Sequence, residues 1–334
     1  MEGTMNKKQI FVTLFWTAVL IGIVYAYLSN RNEIGEAVGY LQDMNITVVL
    51  LLVPVIFFMW CAAGRIWHPY LKADGLSARL LSSIQYEINF VDTVLPFFSI
   101  TGAVYALARL KKLNVPEGKA SGMIVFRYII SISTKWIEIA IAMVILAAMG
   151  KTGEMPAWVV CVVCILIVAV TVGFTVGLII YQRKVRVPRK LARSQALGKT
   201  AAAIQEQLDN LFQTLDLIFS QKGALLQSFV WGMVYSLLEV LPFWVVATAM
   251  GHAELLLPII VASGVAITVG IIIPTPMGIG GFDGAMILFL GSIGSSVALV
   301  SAIVITTRVL VLVGSAVTGI PFWMNGMRSI ESEN

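Results

Sequence analysis

Charge is what this chain has least of. Only 12% of its 334 residues are Asp, Glu, Lys or Arg, while 58% are hydrophobic. A soluble domain carries about 25% charged residues, so a water-soluble globule is excluded for want of polar surface. Histidine and cysteine are scarce too, at two and three residues. Cys61, Cys161 and Cys164 lie within apolar runs, and the C-x-x-C at 161–164 sits in WVVCVVCILI. A redox pair belongs at an exposed helix start, so these cysteines read as small hydrophobes. The chain has no H-E-x-x-H, P-loop or G-x-S-x-G pattern, and nothing sets a nucleophile beside a base. No enzymatic activity, metal or cofactor is therefore expected. The net charge of +5 comes without a basic face carrying aromatic platforms, which argues against a nucleic-acid partner.

What the chain does have is a series of apolar runs close to the roughly 20 residues that span a bilayer. Residues 1–334 read as one all-α, polytopic membrane domain. Full crossings are expected at about 10–28, 46–64, 122–149, 157–181, 224–250 and 297–324, with the first retained as a helix. Residues 29–45 are net acidic and read as an outside loop. Lys7 and Lys8, the 65–79 segment, Arg109 to Lys119 and the stretch from Arg183 to Lys199 carry most of the basic residues. The positive-inside rule puts these segments in the cytoplasm, giving a multi-pass cell-membrane protein with both termini inside. Residues 189–221 form an amphipathic helix, because Ile204, Leu208, Leu211, Leu215 and Ile218 recur at spacings of four, three, four and three. Such a stripe lies along the membrane interface or packs beneath the bundle.

Two segments do not fit simple crossings. Residues 76–107 are apolar but interrupted by Glu87, Asn89, Asp92 and Pro96, with basic residues on both flanks. A re-entrant hairpin broken near 89–96 satisfies those flanks, since irregular backbone at membrane depth must face protein or a wet cavity. Residues 255–294 repeat the plan, with PTPMGIGGFDGA between two apolar arms, although 255–273 is also long enough to cross alone. Each segment leads to a long helix bearing an arginine: Gly102 precedes Arg127 by 25 positions, and Gly281 precedes Arg308 by 27. Units of about 76–149 and 255–325 thus read as an inverted repeat, a plan in which paired broken helices mark the substrate site of transporters.

Charges at membrane depth are costly, about 3 kcal/mol each on insertion scales, and mark the candidate site. Lys135 and Glu138, three apart on one helix, are expected to neutralise each other. Arg127 is close enough to the cytoplasmic interface to snorkel. Arg308 is too deep for that and needs Asp283, Glu239 or a lipid phosphate. In the glycine turn, Pro276 fixes φ, Gly278, Gly280 and Gly281 permit close backbone approach, and Asp283 is placed to cap the next half-helix. The candidate substrate-binding set is Arg308, Asp283, Glu239, Arg127, Gly278, Gly280, Gly281 and Pro276, with Asn89, Pro96 and Gly102 from the first hairpin.

The PMGIGGFDGA turn resembles the P-G-G-x-G-x-F-E-G-A signature of the flippase-like family that includes the transmembrane region of lysylphosphatidylglycerol synthase/flippase proteins. NFVDTVLPFFSITGAVYALARLKKLNVPEGKASG is similar to that family's N…LP…SG segment and basic loop, and the resemblance covers about residues 8–325. Met277 stands where a glycine is usual, and Asp283 where glutamate is usual. The resemblance implies movement of a lipid or lipid-linked headgroup between leaflets, with an anionic or phosphate-bearing substrate. With nothing soluble after Asn334, it implies translocation without the family's lipid synthesis. Membrane lipids are the expected partners, and a homo-oligomer is left open. The competing readings are a secondary transporter of a small soluble anion and a non-transporting scaffold.

Overall fold

The computed structural model describes residues 31–94, 100–150, 156–184, 198–272 and 280–331, and every regular element among them is helical. In chain order these are α1 (Arg31–Gln42), α2 (Leu52–Leu71, led by a helical turn at Ile46–Val49), α3 (Ala78–Val94), α4 (Ile100–Lys112), α5 (Glu117–Ala148), α6 (Ala157–Gln182), α7 (Gly198–Ser220), α8 (Lys222–Ala249), α9 (Leu256–Ile272), α10 (Gly281–Ser292) and α11 (Val297–Glu331).

Six helices among the described residues are long and apolar enough to cross a membrane: 46–74, 117–148, 157–182, 222–249, 253–270 and 297–325. This set differs from the expected one. The crossing expected at 10–28 lies outside the described residues, and 253–270 takes its place in the count. Residues 29–45, expected as a loop, contain α1, because α1 has α11 to pack against. The break expected near 89–96 is absent from 89–94, and residues 95 and 96 lie outside the described residues. Helix α3 continues through Asn89 and Asp92 to Val94, since a tertiary partner for Asp92 removes its tendency to end a helix.

The bundle is held by α8, which packs against α2, α5, α9 and α11. Helices α2 and α8 run antiparallel. Asn45 N–H donates to Ala249 C=O at one end (2.8 Å), and Ser228 Oγ donates to Ile66 C=O at the other (2.7 Å). Helices α3 and α4 pack together, as do α9 and α10. Helix α11 packs on α3, and α5 packs on α9, so each arginine-bearing long helix lies against the first arm of the other unit. Aromatic contacts fix the first of these seams, with Tyr86 stacked on Phe322 at 4.7 Å and Phe90 near Trp323 at 5.4 Å. Helix α6 stands apart. Its residues are mostly exposed, including Cys161 and Cys164, as suits a helix surrounded by acyl chains. At its end Tyr181 meets Phe212 and Phe219 of α7.

Candidate functional site

In the second unit the site begins at Gly280, which precedes α10 with φ at +97°, a conformation that side chains rarely adopt. Gly281 opens the helix and Asp283 stands in its first turn, where the helix dipole favours an anion. Asp283 Oδ1 accepts from Arg308 Nε at 2.6 Å. The Arg308 guanidinium also lies 4.2 Å from the centre of the Phe282 ring, and its side chain is 31% exposed, so it is neither in bulk water nor sealed. Of the partners expected for Arg308, Asp283 is the one present. Pro276 and Gly278 lie outside the described residues.

In the first unit the acid and the arginine are arranged differently. Asp92, at the end of α3, accepts from the Gly102 amide at 2.6 Å and so caps the start of α4. A side chain at Gly102 would collide with that carboxylate. Arg127 interacts electrostatically with Asp92 but forms no ion pair with it. Its guanidinium lies 5.8, 5.7 and 6.0 Å from the rings of Trp67, Tyr128 and Tyr235, and its Nε is buried with no acceptor among the described residues. Rings from α2, α5 and α8 thus stand at cation–π distance from the guanidinium. The indole N–H groups of Trp67 and Trp60 are likewise buried without acceptors, and Trp60 adjoins Tyr235 at 6.4 Å. Asn89 is half-buried on α3, and Pro96 lies outside the described residues.

Helix α8 joins the two units. Phe282 meets Phe243 at 6.0 Å, one turn from Glu239. Glu239 is not beside Arg308. It pairs with Lys135 at 3.3 Å and accepts from the Tyr235 hydroxyl at 3.2 Å. Lys135 also pairs with Glu138 at 3.2 Å, as the i,i+3 spacing led us to expect, and donates to Ser236 C=O at 2.9 Å. Of these three contacts the one to the Ser236 carbonyl is a hydrogen bond, and the two to carboxylates are ion pairs. Ser236 Oγ donates to Glu138.

Several contributors escaped the sequence reading: Tyr235, Ser236, Trp60, Trp67 and the pairing of Glu87. That carboxylate accepts from Arg109 Nε at 3.0 Å and Tyr105 Oη at 2.8 Å, tying α3 to α4. The four-residue spacing of Trp231, Tyr235 and Glu239 along one helix face was the available signal. Beyond the bundle, Asp216 of α7 accepts two 2.8 Å bonds from Lys184 and one from Tyr181. The bonds from Lys184 and then Tyr181 hold its carboxyl below the usual carboxylate range.

No group of three or more His, Cys, Asp or Glu side chains among the described residues is arranged to hold a metal. Compared with known proteins, residues 15–319 match the family model described as the lysylphosphatidylglycerol synthase TM region. Neither a curated protein nor a solved structure matches the chain.

Proposed function

The chain belongs to the family of the lysylphosphatidylglycerol synthase transmembrane region, and from that premise we propose that it moves a lipid with an anionic, phosphate-bearing headgroup between the leaflets of the cell membrane. The observation that carries this reading is Arg127, whose buried Nε has no acceptor among the described residues. A buried N–H of a charged group left without an acceptor is costly, and the fork geometry of a guanidinium suits a phosphate. The orphaned indole donors of Trp60 and Trp67 add to a surface that offers hydrogens and lacks acceptors.

The hairpins serve this reading as re-entrant elements. Helices α4 and α10 have 13 and 12 residues, or about 20 and 18 Å at 1.5 Å per residue, against a hydrocarbon core of about 30 Å. The reciprocal packing of α11 on α3 and α5 on α9 supports an inverted repeat, with the two arginines flanking the midplane. A lipid route also needs a lateral opening. An open, largely apolar groove of about 390 Å³ lies between α5 and α7, lined by Gly122, Val125, Ile204, Leu208 and Leu211. It adjoins the Glu117 end of α5, the helix that bears Arg127. The small-anion reading has no use for such a groove.

The test is reconstitution of the full chain in liposomes with headgroup-labelled lipids. Phosphate-bearing anionic lipids are expected to cross faster than in protein-free liposomes, and Arg127→Ala to cut that gain about 100-fold. If no lipid class crosses faster than the blank, the proposal fails. If only soluble anions cross, the competing transporter reading replaces it.

A further inference from the structure

Around Lys135 the charges do not balance: one ammonium stands between two carboxylates, Glu138 and Glu239. Glu87 has Arg109, and Asp283 has Arg308. Asp92 has the Gly102 amide and the field of Arg127. The surplus negative charge falls on Glu138 and Glu239, which share Lys135. From this we propose that Lys135, Glu138 and Glu239 form a proton-binding site, and that a proton taken there drives lipid movement.

The surroundings isolate the cluster. Side chains of Lys135 and Glu138 are 4% and 3% exposed, whereas Glu239 is 36% exposed and gives the cluster an open side. Glu138 Oε1 is buried with no donor, so this carboxylate is incompletely solvated by the protein. Helix α9, packed on α5 opposite, brings no ionisable residue. On α5 itself Arg127 and Tyr128 are engaged with each other's faces, and on α8 the neighbouring hydroxyl is Tyr235. From α2, Arg65 stacks on Trp231 at 4.5 Å, and His68 lies a turn further toward the helix end. On α4, Arg109 is tied to Glu87 and Lys111 to Glu117, and Arg308 of α11 is tied to Asp283. The acids of α7, Glu206, Asp209 and Asp216, belong to a helix that meets α5 several turns away, at Gly118 and Gly122. The 253–255 turn beside α8 carries Glu254, paired with His252. Among the described residues no second cation pairs with the cluster, so a proton from water is the charge that neutralises it. One carboxylate becomes a neutral acid while the other keeps the ammonium.

The proton site can be read without transport, by infrared difference spectroscopy of the full chain in nanodiscs during a pH titration. Wild type is expected to show a carboxylic-acid C=O band that titrates. Glu138→Gln and Glu239→Gln should each remove it, because either leaves one carboxylate for one ammonium. Lys135→Met should enlarge it, an opposite sign that simple damage to the fold would not produce. A band unchanged in all three variants, or no titrating band, overturns the site. The coupling arm rests on the transport reading: an imposed pH gradient should shift the steady distribution of labelled anionic lipid in wild type but not in the Gln variants. Lipid movement indifferent to the gradient overturns the coupling. A titrating band with no lipid movement at all overturns the transport reading and leaves the proton site standing.

Discussion

Two groups of helices, α3–α5 and α9–α11, use the same three ingredients, an acid, a glycine at a helix start and an arginine on the following long helix, and wire them differently. In the second unit the acid sits on the second arm and takes the arginine directly, Asp283 to Arg308 at 2.6 Å. In the first unit the acid sits on the first arm and takes the backbone, Asp92 to the Gly102 amide at 2.6 Å. Arg127 is left among aromatic rings with a buried N–H that has no acceptor. The lesson is that residue type and spacing are similar while availability is not. The charge of Arg308 is already answered within the protein, and that of Arg127 is answered only in part, so the two arginines should fail in different ways when removed.

The largest difference is expected in transport. Arg127→Ala should slow movement of a phosphate-bearing lipid about 100-fold, the equivalent of one strong charge-assisted contact of about 2 to 3 kcal/mol, with little change in melting temperature. Paired transport and melting measurements on the same preparation check this, and a large loss of stability would erase the distinction between the units. Arg308→Ala should act on stability first, costing about 2 kcal/mol, because it strands the mostly buried Asp283. Arg308→Ala combined with Asp283→Ala should recover most of that loss in detergent denaturation. An additive double variant would mean the pair is not coupled. A smaller effect, about 1 kcal/mol, is expected for Gly102→Ala, which pushes Asp92 off the amide it caps. Hydrogen exchange at the start of α4 should rise, while that of α10 stays unchanged.

The smallest effect concerns α7, which touches the first unit through α5 but has no comparable contact with the second. The folded-state carboxyl of Asp216 titrates below its unfolded value. Its contribution is therefore complete above the unfolded carboxylate range and disappears as pH falls through the lower, folded value. Acidification should loosen residues 204–219 in hydrogen exchange, and Asp216→Asn should do the same at neutral pH. Equal loosening of α10 would show that the two units are less separate than their contacts imply.

Much of this was legible in the primary structure. The paucity of charge and the apolar runs give a helical membrane protein. Lys135 and Glu138 are neighbours on any helix, so their pairing follows from spacing. Other features are not local. Residues 29–45 look like a polar loop until α11 supplies a surface for α1, and 253–270 reads equally as a crossing or as one arm of a hairpin. The rank of the two arginines also turned on contacts between distant segments.

What the sequence by itself determined is the solvent this protein lives in and the helical form that solvent demands, because a bilayer offers no hydrogen bonds to an unpaired backbone. It also set how many charges must be accommodated there. Only the tertiary structure decided which charge answers which. Glu239 went to Lys135, Asp283 to Arg308 and Asp92 to an amide, because an ion pair at membrane depth is settled by distances of a few ångströms between helices that lie far apart in the chain.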